Sequence, residues 1–263
     1  MMNVEQLGIT LGDIKLFLLV LTRVSTLLFL MPIFGGQSIH MRLKAGLALV
    51  ISALLFPVVK HSLPEFPESW IAIATLVVGE VMIGTTLGLI IYIFFAGIQL
   101  AGELAGFQIG FSIINVIDPQ SGVESSVMAQ FGYWIAIVAF FIFNGHHVLL
   151  RGLKESFDIL HVGSMCLSQG LFETVNNAGA QIFSSAIKIG APVIVVLLLV
   201  SAGFGICARF IPQMNVLIIS FPIQIVVGLI FFGLSLSIML QFIRGYIDGL
   251  DGILINAMKL MKA

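Results

Sequence analysis

Residues 70–98, WIAIATLVVGEVMIGTTLGLIIYIFFAGI, are apolar apart from a few small polar side chains and one carboxylate, Glu80. An α-helix rises about 1.5 Å per residue, so about 20 apolar residues cross the hydrocarbon core of a bilayer. The run is longer than that, and it lacks the alternation of apolar and polar residues that is typical of a half-buried strand. It therefore predicts a helix long enough to span a membrane.

Other apolar stretches of similar length lie on both sides of this run. They cover residues 14–31, 43–59, 127–143, 182–206 and 216–243. Evenly spaced segments of alternating polarity, which would indicate a β-barrel, are missing, so each stretch is interpreted as a helix. We expect an all-α protein of the integral-membrane class, with about six long apolar segments in a single domain over residues 1–263.

Composition narrows the possible functions. The chain is 59% hydrophobic and 10% charged, against about 25% charged residues in soluble domains. Its formal net charge of -1 leaves no basic surface for nucleic acid. The sequence contains no HExxH, GxSxG, Walker A or GxGxxG motif, and the adjacent His146 and His147 would point about 100° apart on a helix. We expect neither an enzyme nor a protein that holds a metal or cofactor.

Charged residues inside apolar helices need partners, because each costs a few kcal/mol at the centre of a bilayer. Three explanations stay open: ion pairs that fix helix register, within the chain or to another subunit; a proton or ion relay; and segments that pack among protein helices and never meet lipid. The candidate intramembrane or intersubunit charges are Arg23, Arg42, Lys44, Glu80, Glu103, Lys188 and Arg209.

Glycines four residues apart lie on one face of a helix, where another backbone can approach closely. Gly84 and Gly88 form one such face, and Gly102 and Gly106 begin another that would continue to Gly110 on an unbroken helix. These glycines predict helix packing.

The second glycine face belongs to GELAGFQIGFSIINVIDPQSG, residues 102–122, in which Phe107 and Phe111 are also four apart. Since proline disfavours helix at the residue before it, any helix should end by Ile117 or Asp118. Irregular backbone at membrane depth is tolerated only when it is buried in protein or lines a cavity. The segment is therefore either a plain packing loop or an apolar constriction of a pore.

The C-terminal tail, residues 244–263, has apolar side chains near helical spacing with charged residues between them. Such an amphipathic helix suits a membrane surface or a partner helix.

Four stretches read together resemble the R subunit of the bacterial flagellar export gate, the FliR family, whose injectisome counterpart is the T-type export subunit. The resemblance covers nearly the whole chain in order. The stretches are Arg23 with Pro32-Ile33-Phe34 and RLKAGLA at 42–48; Gly102-Glu103 through Asp118-Pro119; Phe143-Asn144-Gly145-His146; and RFIPQ at 209–213 running into Phe221-Pro222.

The resemblance implies a pore-forming, non-enzymatic subunit of type III protein export in the bacterial inner membrane, at the flagellar basal body. It implies assembly with P and Q subunits, contact of the tail with a B subunit on the cytoplasmic side, and passage of unfolded flagellar proteins. It also implies kinked helical hairpins that are largely lifted out of the bilayer, and no cofactor.

The resemblance further implies that the loop at about 106–122 is the plug that closes the channel. The plug residues would be Phe107, Gly110, Phe111, Ile113, Ile114, Asn115, Val116, Ile117, Asp118 and Pro119.

Three other functions are compatible with the sequence. A stand-alone secondary transporter could use broken helices at Pro192 and Pro222, with Glu80 or Lys188 as coupling groups. Against it, the helix-interior prolines are expected only in the C-terminal half, whereas transporters usually show matched breaks in two halves. The chain could also be the equivalent injectisome subunit, or a passive scaffold without pore contact.

Overall fold

The computed structural model describes residues 11–35, 39–60, 69–111, 126–165, 168–211 and 215–262. Over these residues the chain is helical, with one isolated β-bridge between Met165 and Lys262, and the predicted all-α class is confirmed. The helices are α1 (Leu11–Leu30), α2 (Pro32–Gly35), α3 (Met41–Val59), α4 (Trp70–Ile109), α5 (Val127–Ile142), α6 (Gly145–Ile159), α7 (Gln169–Phe210) and α8 (Val216–Met261).

Three helices are much longer than the apolar runs that predict them. α4 has 40 residues, α7 has 42 and α8 has 46, and the last two continue through polar sequence that hydropathy alone assigns to linkers or to a tail. The polar span from Asn144 to Asn177 separates two apolar runs, and its composition predicts a linker. It instead contains α6 and the start of α7. Amphipathic helices that pack on one face only are missed when continuous apolar runs are the criterion.

Within the described ranges, four helices are long and apolar enough to cross a membrane, namely α3, α4, α7 and α8. α5 has 16 residues and reaches a spanning length only if it is counted together with α6. α7 and α8 contain Pro192 and Pro222, and α3 contains Pro57 close to its end. The expectation that helix-interior prolines lie only in the C-terminal half is therefore wrong.

The described helices group into two compact units. Unit 1 comprises Met1–Tyr92, Gly145–Asn177 and Gly249–Ala263, and unit 2 comprises Ile93–Asn144 and Ala178–Asp248. Each unit therefore draws on stretches that are distant in sequence.

Unit 1 is built on α1. Phe17 of α1 meets Phe56 of α3 edge to face at 5.8 Å, and the first half of α4 buries Ile83 and Leu87. α6 is the strongly amphipathic helix of this unit, and its inward face includes Leu153 and Phe157.

The end of α8 completes unit 1. Leu250, Leu254 and Met258 are buried, and Leu254 lies beside Gly152 of α6. The apolar side of the tail, which we expected to face a membrane surface or a partner helix, thus has its partner helix within the same chain. Polar contacts fasten the end of this helix, since Ser168 Oγ donates to the carbonyl of Leu260 at 2.6 Å.

Unit 2 contains the second half of α4 together with α5 and most of α7 and α8. Its core cluster consists of Ala105, Ile109, Met128, Val193, Leu197 and Phe232. Unit 2 also contains paired aromatic rings. The ring centroids of Phe94 and Tyr246 are 4.1 Å apart in a stacked pair, and those of Phe95 and Phe140 are 5.7 Å apart. Short residues of α4 allow α5 and α7 to approach its backbone: a Cβ at Gly102 would stand 2.5 Å from Ala129 Cα, and one at Gly97 would stand 3.5 Å from the Ile182 carbonyl oxygen.

Candidate functional site

The most deeply buried charges form a bidentate ion pair between α1 and α4. Arg23 and Glu80 are both 0% exposed. Arg23 Nε donates to Glu80 Oε2 at 2.5 Å and Nη2 donates to Oε1 at 2.9 Å. This fork-to-fork geometry fixes the relative position of the two helices more strongly than a single contact would.

A third helix, α6, completes the coordination of Arg23. Nη1 donates to the carbonyl and the hydroxyl of Ser156 at 2.8 and 3.1 Å, and Nη2 donates to the carbonyl of Leu160 at 3.1 Å. The guanidinium carbon lies 4.0 Å from the ring centroid of Phe157, a cation–π contact. All five N–H groups of the guanidinium therefore have acceptors within unit 1.

The position of Arg23 follows from the end of α6. A helix leaves its last carbonyl groups without intrahelical donors and carries partial negative charge there. The carbonyl of Leu160 lies just beyond Ile159, where α6 ends, and Arg23 donates to it. Because both charges and the helix end are satisfied inside the chain, the geometry favours the interpretation of a register-fixing ion pair over that of a relay.

The other candidate charges do not join this cluster. Arg42 at the start of α3 and Arg209 at the end of α7 are exposed, and Lys44 is partly buried. Glu103 and Lys188 are exposed on helices of unit 2, and among the described residues neither has an ion-pair or hydrogen-bond partner.

Several partners were missed from the sequence. Ser156 and Phe157 lie in the polar span between two apolar runs, so these two partners of Arg23 could be found only by recognising α6 as an amphipathic helix. Lys60 pairs with Asp13 at 2.6 Å, an interaction between residues that only flank apolar runs.

Gly84 and Gly88 lie against α1 in unit 1. A Cβ at Gly84 would stand 2.7 Å from the Arg23 carbonyl oxygen, and one at Gly88 would stand 2.8 Å from Leu30 Cβ. The first contact is with backbone, so the helices would have to separate to admit even a methyl group. The glycine pair therefore brings α4 close enough for Glu80 to reach Arg23.

Gly102 and Gly106 lie against the start of α5 in unit 2. A Cβ at Gly102 would stand 2.5 Å from Ala129 Cα, and one at Gly106 would overlap Ser126 Oγ. Ser126 is the N-cap of α5 and accepts a hydrogen bond from the Met128 N–H at 3.3 Å. The small residues thus seat the first turn of α5 directly on α4.

α4 ends in a Schellman motif at Gly110. The Gly110 N–H donates to the Phe107 carbonyl at 3.1 Å, and the Phe111 N–H donates to the Gly106 carbonyl at 3.0 Å. Gly110 has φ +97°, a conformation that favours glycine. The helix ends at Ile109, within the limit set by the proline after Asp118, and Gly110 is a cap residue and not a third member of the packing face.

Because α4 stops there, the two predicted plug phenylalanines do not share one helical face. Phe107 is 70% exposed, whereas Phe111 is partly buried against the core cluster of unit 2. The remaining predicted plug residues lie outside the described residues: Ile113, Ile114, Asn115, Val116, Ile117, Asp118 and Pro119.

The described residues contain no group of three or more His, Cys, Asp or Glu side chains that could hold a metal ion. The rings of His146 and His147 stand 4.1 Å apart at the start of α6.

Most of the chain is similar to known proteins. The chain matches the family described as bacterial export proteins, family 1, over residues 14–250. It is 33% identical over 232 residues to the flagellar biosynthetic protein FliR of Bacillus subtilis strain 168, covering 87% of this chain and 88% of that protein.

Two further relatives carry the same description. The flagellar biosynthetic protein FliR of Pectobacterium carotovorum subsp. carotovorum is 32% identical over 220 residues, with 84% of each chain covered. That of Escherichia coli K12 is 32% identical over 221 residues, with 83% of each covered. The family match over residues 14–250 includes Arg23, Glu80 and the end of α4.

Proposed function

The chain belongs to the FliR family of flagellar biosynthetic proteins, and we propose that this component of flagellar protein export is a pore-forming subunit of the type III export gate. In this proposal it assembles with P and Q subunits in the inner membrane at the basal body. The gate passes unfolded flagellar proteins, and a B subunit contacts it on the cytoplasmic side. The flagellar descriptions of the relatives favour this system over an injectisome.

The observation that supports the proposal is the packing of the two residues that flank the predicted plug, Gly110 and Ser126. On one flank, Gly110 caps α4, and a Cβ there would stand 3.1 Å from the Phe221 ring. On the other flank, Ser126 caps α5 and lies against Gly106 of α4. The segment between these two fixed flanks is the proposed plug.

The proposed role of that segment is closure of the channel. Its apolar side chains would exclude water and ions from a narrow pore. Phe107 is exposed on α4 just before the cap and is available to the same constriction, whereas Phe111 anchors the segment to the core cluster. The subunit would act by positioning and closing a path and not by catalysis.

A shortened plug tests this role. Deleting residues 112–116 keeps the Gly110 cap and the Phe111 anchor, so the gate should still assemble while the membrane becomes permeable to small ions. Conductance of membranes that carry the assembled complex measures this effect. Phe107→Ala is the matched variant, because it trims one exposed ring and keeps the segment; it should leak less. Unchanged conductance in an assembled complex would contradict the plug assignment.

The broader role is tested by complementation. A strain lacking this chain should not swim or secrete filament protein, and the wild-type chain should restore both. Normal secretion in the deletion strain would refute the proposed function whatever the plug variants show.

A further inference from the structure

The aromatic ring of Phe221, on α8, lies against Gly110, the residue that caps α4 in unit 2. A Cβ at Gly110 would stand 3.1 Å from Phe221 Cε1 and 3.2 Å from Cδ1, closer than side chains normally approach. Gly110 also has φ +97°, a backbone conformation that favours glycine. The missing side chain therefore has two effects, since it permits the turn and leaves room for the ring.

This contact differs from the other contacts that α8 makes in unit 2. Phe221 is partly buried and meets the chain beyond Ile109, the last helical residue of α4. Ile225, one turn further along α8, packs instead against the core cluster, as Phe111 does. The Phe221 ring therefore contacts the backbone through which the chain leaves α4, and not only other core side chains.

Gly228 of α8 provides a second contact with the same end of α4. A Cβ at Gly228 would stand 2.5 Å from Ile109 Cγ1, and Ile109 is 0% exposed. Phe221 and Gly228 are about two helical turns apart, so they lie on the same face of α8 at a separation of about 10 Å along its axis. One face of α8 therefore contacts both the last residue of α4 and the cap that follows it.

The part of α8 that carries Phe221 is also joined to α7. Gln224 Nε2 donates to Ser201 Oγ at 3.1 Å. Pro222 lies inside α8 and has no N–H for the carbonyl of Ile218, so the backbone next to Phe221 lacks one helical hydrogen bond. The position of the Phe221 ring therefore depends on the contacts that α8 makes with α4 and α7.

The backbone at Gly110 needs such a contact to keep one direction. The Phe111 N–H donates to the Gly106 carbonyl at 3.0 Å, and the Phe111 side chain packs against the core cluster. Glycine has access to more φ and ψ values than other residues, so Gly110 between these fixed points can still rotate. The Phe221 ring limits that rotation because it occupies the space beside Gly110.

We propose that Phe221 is a positioning residue for the channel plug and acts through Gly110. The ring holds the cap in one backbone conformation and so fixes the direction in which the apolar segment leaves α4. This inference rests on the proposed function. It adds a residue of α8, distant in sequence, to the structure that keeps the channel closed.

Conductance of membranes that carry the assembled complex tests this role. We expect Phe221→Ala to raise ion conductance severalfold above wild type but to a lower level than the deletion of residues 112–116, because the segment is intact while its exit from α4 is no longer fixed. Phe221→Leu keeps apolar bulk beside the cap and should leak less than Phe221→Ala. Wild-type conductance of an assembled Phe221→Ala complex would overturn the proposal.

Ile225→Ala separates positioning from a general loss of stability. It truncates a side chain of α8 that packs against the core cluster, and it leaves the contact between Phe221 and Gly110 in place. Both alanine variants should lower the Tm of the purified chain, but only Phe221→Ala should raise the conductance. Equal leaks from the two variants would show that any weakening of α8 opens the channel, and the proposal would fail.

A double-mutant cycle tests the contact itself. Gly110→Ala has two costs in the wild-type chain, the positive φ and the close approach to the Phe221 ring. Phe221→Ala removes the second cost, so Gly110→Ala should lower the Tm by less in that background. Equal decreases in the two backgrounds would show that the ring does not restrict Gly110, which contradicts the proposal.

Failure of this inference and failure of the proposed function give different results. If the deletion of residues 112–116 leaks and Phe221→Ala does not, Phe221 is not a positioning residue and the plug assignment stands. If neither assembled complex leaks, the plug assignment itself fails. If Phe221→Ala does not assemble, Phe221→Leu decides the question, and wild-type conductance of that variant would overturn the proposal.

Discussion

Two charged residues of unit 1 and two of unit 2 differ in burial and in whether they have a partner. In unit 1, Arg23 and Glu80 are fully buried and every guanidinium N–H has an acceptor from the same chain. In unit 2, Glu103 and Lys188 are exposed on apolar helices and have no ion-pair or hydrogen-bond partner within the described ranges. A charge satisfied internally stabilises the subunit's own fold, whereas an exposed charge contributes little to it.

The largest expected effect is loss of the buried carboxylate. Glu80→Ala leaves Arg23 buried and unpaired, which costs about 3–5 kcal/mol when one partner of such a pair is removed. We expect less chain in the membrane, a lower Tm in detergent and reduced assembly. Replacing both residues with methionine is the control, because it removes both charges and should recover much of the loss. Normal assembly with a shifted pH dependence would indicate a relay.

Close helix contacts come next. Gly84→Ala in unit 1 and Gly102→Ala in unit 2 place a methyl group against backbone, at 2.7 Å from the Arg23 oxygen and 2.5 Å from Ala129 Cα. Overpacking of this kind costs about 1–3 kcal/mol. Gly46→Ala and Gly233→Ala are matched controls within helices, since a Cβ at either position meets nothing within 4 Å. Equal Tm values for all four variants would show that the helices can separate freely.

A smaller effect is expected at the end of α4. Gly110→Ala places a side chain at φ +97°, which costs about 1–2 kcal/mol for a residue other than glycine. Gly110→Asn should be milder, because asparagine tolerates left-handed backbone and can hydrogen-bond locally. Thermal unfolding of the purified chain measures both variants. If alanine is no worse than asparagine, the cap is not a source of stability.

The smallest effect on the isolated chain is expected at Lys188. Lys188→Met should change the free energy of unfolding of the purified chain by less than about 0.5 kcal/mol, as exposed substitutions usually do. A loss comparable with that of Glu80→Ala would mean that Lys188 is satisfied within its own chain, and the contrast between the units would disappear.

The glycines near the end of α4 show which features a sequence pattern predicts and which it does not. The glycine spacing predicts a packing face, and Gly102 and Gly106 lie in tight contact with α5. The same spacing continues to Gly110, but there the positive φ requires the glycine, and the Phe221 ring also leaves little room for a side chain. A helical repeat and a helix cap look alike in sequence, because both favour a residue without a side chain.

The long helices show a second limit. Apolar runs locate the cores of α4, α7 and α8, because burial or lipid contact requires continuous hydrophobicity. They do not locate α6 or the polar first turns of α7, since these segments are stabilised by packing on one side only. The partners of Arg23 other than Glu80 therefore lie in a stretch that hydropathy assigns to a linker.

By itself, the sequence determined that the chain is helical, apolar enough for a membrane and related to the FliR family, because length, hydropathy and ordered motifs are local properties of the chain. Only the tertiary structure decided that Arg23 meets Glu80 and the end of α6, and that Lys188 meets no described partner. The pairing of charges depends on which helix faces approach each other. That choice is made by close packing among residues far apart in sequence, so no local pattern records it.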